Sequence, residues 1–68
     1  MSKEMDFYIY LMENYAAYKG KHVKDVVKLL DDLELTDFIY NMYEMYHIES
    51  IENAYDDIDR LISEKTSK

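Results

Sequence analysis

The chain contains no cysteine, no proline and no tryptophan, and a single glycine, Gly20. Without cysteine there can be no disulfide, no thiolate metal site and no thiol nucleophile. The same absence fits a reducing compartment. One glycine cannot build a phosphate-cradling loop. With no proline and one glycine, almost nothing interrupts the chain, so its segments are expected to be helical. Long hydrophobic runs are missing too. The longest, residues 7–12, falls far short of the ~20 apolar residues that a helix needs to cross a bilayer. The opening residues 1–6 are charged and reach no apolar stretch of signal-peptide length. A cytoplasmic protein that does not enter the membrane is the expectation.

Positive charge is scarce and unevenly placed. No lysine or arginine occurs in 29–59, whereas acids run from Asp31 to Asp59 through that stretch, and the whole chain carries a net charge of −7. Such a chain is repelled by phosphate backbones and anionic lipid, so direct nucleic-acid or membrane binding is disfavoured. A helix-turn-helix reading of the middle segments fails on the same ground, because residues 37–46 offer acids and no base-reading cation. The cations that exist gather earlier, as Lys19, Lys21, Lys24 and Lys28 with His22 among them. Charge is thus polarised along the sequence.

What is abundant is apolar and aromatic surface. Of 68 residues 49 % are hydrophobic and 15 % aromatic, too apolar for a disordered acidic tail, and the length allows one domain. The first periodic segment spans about 3–18, with one stripe of Met5, Ile9, Met12 and Ala16 and a second of Phe7, Leu11, Tyr15 and Tyr18. Gly20 supplies the stop expected just past a helix end. A second segment, about 22–33, aligns Val23, Val26, Val27, Leu30 and Leu33. Thr36 is a candidate N-cap for a third, through about 46, and Ser50 for a fourth carrying Ile51, Ala54, Tyr55, Ile58, Leu61 and Ile62. Residues 64–68 are expected to fray. The fold expected is all-α: a compact three- or four-helix bundle, one domain over 1–68 with its core in about 5–63.

Little in this composition can do chemistry. No serine lies in a nucleophile-elbow context. Glu44-x-x-His47 has the spacing used by di-iron bundles, but those sites need a second such pair and two further glutamates. Asp56-Asp57-x-Asp59 resembles the start of a calcium loop without its glycine or closing glutamate, inside a helical pattern where the acids would face solvent. No catalytic residue, metal or cofactor is expected, and the chain is read as a non-enzyme. The eight tyrosines are more informative. So small a core cannot bury every ring with its hydroxyl paired, and half-exposed tyrosine is enriched at protein interfaces. Tyr8, Leu11, Tyr15, Tyr18, Tyr40, Tyr43, Tyr46 and His47 are therefore the candidate partner-binding residues. The alternatives are a self-assembling homodimer that buries the extra stripe of the first helix, and an acidic nucleic-acid mimic.

The chain also resembles a family of small bacterial proteins catalogued as a domain of unknown function. The resemblance covers about 7–62. It rests on Met12, Glu13, Asn14 and Tyr15; on Val23, Lys24, Asp25, Val26 and Val27 with Leu29 and Leu30; and on Asp37, Phe38, Ile39 and Tyr40. Further on it rests on Tyr43-x-x-Tyr46-His47, Ser50-x-Glu52-Asn53-Ala54 and Asp57-Ile58-Asp59. Many relatives have Leu-His-Thr where Tyr46, His47 and Ile48 stand here, then a glycine that this chain lacks, so its turn before the fourth helix is expected to differ. Members look like genomic neighbours of proteins resembling ADP-ribosyltransferases, an arrangement similar to toxin–antitoxin pairs. That implies a small acidic antitoxin-like partner of such a toxin. His47, Tyr43, Asn53 and Asp57 become candidate contact or structural residues, with Asn53 and His47 expected to tie the last two helices together by hydrogen bonds.

Overall fold

The computed structural model describes residues 2–67, which form five helices and no strand: α1 Lys3–Lys19, α2 Val23–Asp32, α3 Thr36–Asn41, α4 Tyr43–Tyr46 and α5 Ile51–Thr66. The all-α expectation holds. The expected third helix is split, because backbone geometry leaves the α-helical range at Met42 (φ −84°, ψ 9°). Hydrogen bonds from Met42 N to Ile39 O and from Met45 N to Met42 O carry the chain across that point in a tighter three-residue turn. No helix among the described residues is long and apolar enough to cross a membrane.

The helix ends show how the chain turns without proline. Ser2 caps α1, its hydroxyl accepting from Met5 N at 3.1 Å, a cap not foreseen from the sequence. Gly20 closes α1 in the left-handed conformation (φ 68°). Gly20 N bonds Ala17 O and Lys21 N bonds Ala16 O, the paired bonds of a Schellman motif. The same pair recurs after α2: Glu34 N bonds Asp31 O and Leu35 N bonds Leu30 O. Here the left-handed position belongs to Glu34 (φ 61°), a non-glycine residue. The buried pair Leu30 and Leu35 supplies the apolar contact that accompanies this motif. Thr36 is not the cap expected of it. Leu35 occupies that position, and the Thr36 hydroxyl donates to the Asp31 carboxylate. Ser50 does take the N-cap position of α5 with extended backbone, but its hydroxyl makes no capping bond. Nor do 64–66 fray: α5 runs on to Thr66, whose hydroxyl donates to Ile62 O at 2.8 Å. Lys68, also expected to fray, lies outside the described residues.

One core organises the helices. α1 packs on α2, α3 and α4, and α4 on α5. Leu11, Met12, Val26, Leu30, Ile39, Tyr46, Ala54 and Ile58 are buried at its centre. From α1 the buried set is Tyr8, Leu11, Met12, Tyr15 and Ala16, one stripe drawn from both expected stripes plus Tyr8. The other helices cover the seam between those stripes, so the outer members, Ile9 and Tyr18, fall outside it and are exposed.

Candidate functional site

The tyrosines divide into three groups once the helices are in place. Tyr8, Tyr15, Tyr46 and Tyr55 are buried, Tyr40 and Tyr43 are half-buried, and Tyr10 and Tyr18 are exposed. The expectation that Tyr8, Leu11, Tyr15 and Tyr46 bind a partner is thereby revised. All four belong to the core, where their apolar area is already removed from water by the chain's own helices. Tyr18, Tyr40, Tyr43 and His47 keep accessible surface, and Tyr10, which the sequence reading passed over, joins them.

Two buried tyrosines anchor the last helix. Tyr15 donates to Asp59 at 2.5 Å, and Tyr46 donates to Asp57 at 3.1 Å. Lys19 lies 3.3 Å from the Asp59 carboxylate, and Arg60 lies 3.5 Å from that of Asp57. Burial pushes both phenols well above the ordinary tyrosine range, and the adjoining carboxylates push the same way. Both hydroxyls therefore stay protonated as donors. This corrects two expectations. Asp57 and Asp59 do not form a merely solvated acidic face, since they receive core hydroxyls. The link between α4 and α5 is made by Tyr46 and Asp57, while Asn53 is exposed and His47 bonds within its own turn. Helical periodicity puts Asp57 and Asp59 towards solvent, and the rings that reach them come from other helices, Tyr15 on α1 and Tyr46 on α4.

Around these anchors runs an edge of rings. Tyr18 stacks on Tyr55 with centroids 4.7 Å apart, and Tyr15 meets the same ring at 5.8 Å. Further along α1, Phe7 lies 6.2 Å from Tyr10 and meets Tyr43 edge-on at 5.6 Å. Tyr43 in turn stacks on His47 at 4.3 Å, nearly parallel. His47 Nδ1 lies 2.7 Å from Tyr43 O. A carbonyl only accepts, so Nδ1 carries the proton and the ring is held flat against Tyr43. Tyr40 packs on Tyr8 at 6.0 Å. The Tyr8 hydroxyl is buried, faces Thr36 and falls short of a hydrogen bond with it; burial raises its pKa.

A second exposed surface lies along α3 and α4. Phe38 is 49 % exposed, Met45 50 % and Ile48 75 %, while Ile39 and Tyr46 on the same segment are buried. Beside it, Asp31, Glu34, Thr36 and Asp37 line an open acidic notch at the α2–α3 turn. Among the described residues no group of three or more His, Cys, Asp or Glu side chains is arranged to hold a metal ion.

No curated protein and no solved structure matches this chain. The family described as "Protein of unknown function (DUF3791)" matches residues 6–65, nearly the whole length, and the chain therefore belongs to that family.

Proposed function

We propose that this protein is a non-catalytic interaction module that works by docking onto another protein. The observation carrying this reading is the set of large apolar side chains left outside the core: Ile9, Tyr10, Tyr18, Val23, Leu29, Phe38, Met45 and Ile48. Scattered singly, such residues are ordinary. Here several share surfaces, Tyr10 and Tyr18 on α1 and Phe38 with Met45 and Ile48 along α3–α4, and aromatic and methionine side chains are the types enriched at interfaces. The resemblance noted above makes an ADP-ribosyltransferase-like toxin the candidate partner, with this chain as its antitoxin-like inhibitor in the cytoplasm.

The test is co-purification of the tagged full chain from its own cells, in parallel with a Tyr10→Ser/Tyr18→Ser variant and a Met45→Ser/Ile48→Ser variant. A partner recovered by the parent chain and lost with one of the variants supports the reading. Recovery of nothing above background by the parent chain refutes it.

A homodimer is the second reading, favoured by the α1 edge. Tyr18 and Tyr55 stand there beside both Lys19 and Asp59, so that edge carries charges of both signs and can face its own copy. Sedimentation of the parent chain as a monomer at micromolar concentration removes this option.

A further inference from the structure

Among the described residues, three surfaces stand out: the α1 ring edge, the acidic notch at the α2–α3 turn, and the outward face of α3–α4. The third has an electrostatic frame that identifies what fits it. From Thr36 to Tyr46 the chain forms two short helices joined by the tighter turn at Met42, and a turn closed by a bond from Ile48 N to Met45 O carries it on to Ile48. Ile39 and Tyr46 point into the core. Phe38, Met45 and Ile48, spaced seven and three residues apart, come round to the outside as an apolar ridge. Asp37 and Glu44 precede two of these residues, and Glu49 follows the last; all three acids are exposed. The ridge begins one residue from Asp37, which also lines the notch with Asp31 and Glu34. No lysine or arginine occurs anywhere in 29–59 to neutralise this rim.

We propose that the α3–α4 ridge is the docking face for a basic protein partner, one that offers an apolar strip or groove flanked by lysine or arginine. The proposal rests on the protein-binding reading and specifies its face and the chemistry of its occupant. Charge complementarity excludes the other ready occupant. An isologous contact between two copies through this ridge would set Asp37, Glu44 and Glu49 of one chain against the same acids of its twin, with no cation from 29–59 between them. Like-charge juxtaposition of that kind disfavours a partner. A basic partner instead gains both steering from the rim and burial of Phe38, Met45 and Ile48.

The probes are three labelled amphipathic helical peptides that share one apolar face and differ only in flanking residues: lysine, glutamine or glutamate. Binding to the full chain is followed by fluorescence anisotropy at low and high salt, and the contact face is mapped by backbone amide chemical shifts. The lysine peptide is expected to bind with shifts concentrated in 36–49, and the glutamine peptide to bind weaker by about tenfold or more at low salt. Met45→Ser/Ile48→Ser, both exposed positions, should weaken the lysine peptide by about tenfold, and Tyr10→Ser on the other edge should change it by less than about twofold. Retained amide dispersion shows that the variants are folded. The proposal is overturned if the serine pair binds the lysine peptide as the parent does, since charge alone would then hold it. It is equally overturned if the shifts spread over the acids of α5 and miss 36–49, or if sedimentation shows a dimer that the serine pair dissolves. A native partner recovered by the parent chain and kept by the serine pair would refute this face while leaving the protein-binding reading intact.

Discussion

Replacing Glu34 with glycine is expected to stabilise the fold, and replacing Gly20 with alanine to destabilise it, because the two residues hold the same position in two equivalent turns. Each stands just past a helix, with φ of 61° and 68° respectively, between the two backbone bonds of a Schellman motif. A side chain in that conformation brings its Cβ close to the next carbonyl, at a cost of about 1–2 kcal/mol. Glycine escapes that cost but gives the unfolded chain extra freedom worth about 0.5–1 kcal/mol. The difference leaves Glu34→Gly ahead by about 0.5–1 kcal/mol, which for a domain of this size raises Tm by roughly 2–8 °C. Glu34 is exposed, so no packing is lost with it. Gly20→Ala should lose a similar ~0.5–1 kcal/mol by the same balance run backwards. Beyond Gly20 and its two chain neighbours no heavy atom lies within 4 Å of an added Cβ there, so that loss comes from the local backbone conformation and not from a clash with packed residues. The assay is urea unfolding followed by circular dichroism, read as a change in midpoint at constant slope. Glu34→Ala serves as the charge control, because it relieves repulsion from Asp31 and Asp37 while keeping the strained backbone. If alanine gains as much as glycine at position 34, charge relief was the cause and the strain argument is wrong.

The hydroxyls that fasten α5 give a second prediction: Tyr15→Phe or Tyr46→Phe should each cost about 1–2 kcal/mol at neutral pH, since a hydrogen bond to a charged group is lost while the carboxylate left behind can reach water. The same phenols make the fold sensitive to alkali. Their folded pKa values are raised above the ordinary 10.0, so the folded chain holds protons that the unfolded chain releases. Their stabilisation is complete below pH 10 and is lost as the pH climbs past it, and the Tyr15→Phe/Tyr46→Phe double variant should show a shallower alkaline loss when unfolding midpoints are compared across pH. In the core, Leu30→Ala should cost about 2–5 kcal/mol. With total stability on the order of 3–10 kcal/mol for this length, thermal melts of that variant should show a markedly lowered midpoint or no cooperative transition.

Much of this architecture is local physics and can be read directly from the residues. The lack of proline and glycine makes helix the default, Gly20 marks the end of α1, and the spacing of Ala54, Tyr55 and Ile58 places the buried face of α5. The surplus of ring surface is equally legible, since it is a matter of counting rings against so short a chain, and Tyr10 and Tyr18 are indeed left outside. Which rings are surplus is another matter. Helical spacing gives α1 two equivalent apolar stripes, and only the placement of α2, α3 and α4 around it decides that the seam between them is the core. For the same reason Tyr8, Leu11, Tyr15 and Tyr46 moved from the candidate surface to the interior, while Tyr10, in neither expected stripe, is exposed.

Sequence alone determined the helical state, the polarity of charge and the excess of aromatic area, because each depends on residue type and short-range spacing. Tertiary structure decided the rest: the break at Met42, the left-handed turn at Glu34, the hold of Tyr15 and Tyr46 on Asp59 and Asp57, and the outward turn of Phe38, Met45 and Ile48. Those features depend on which face of each helix its neighbours cover, and that choice is made by packing between residues far apart in the chain.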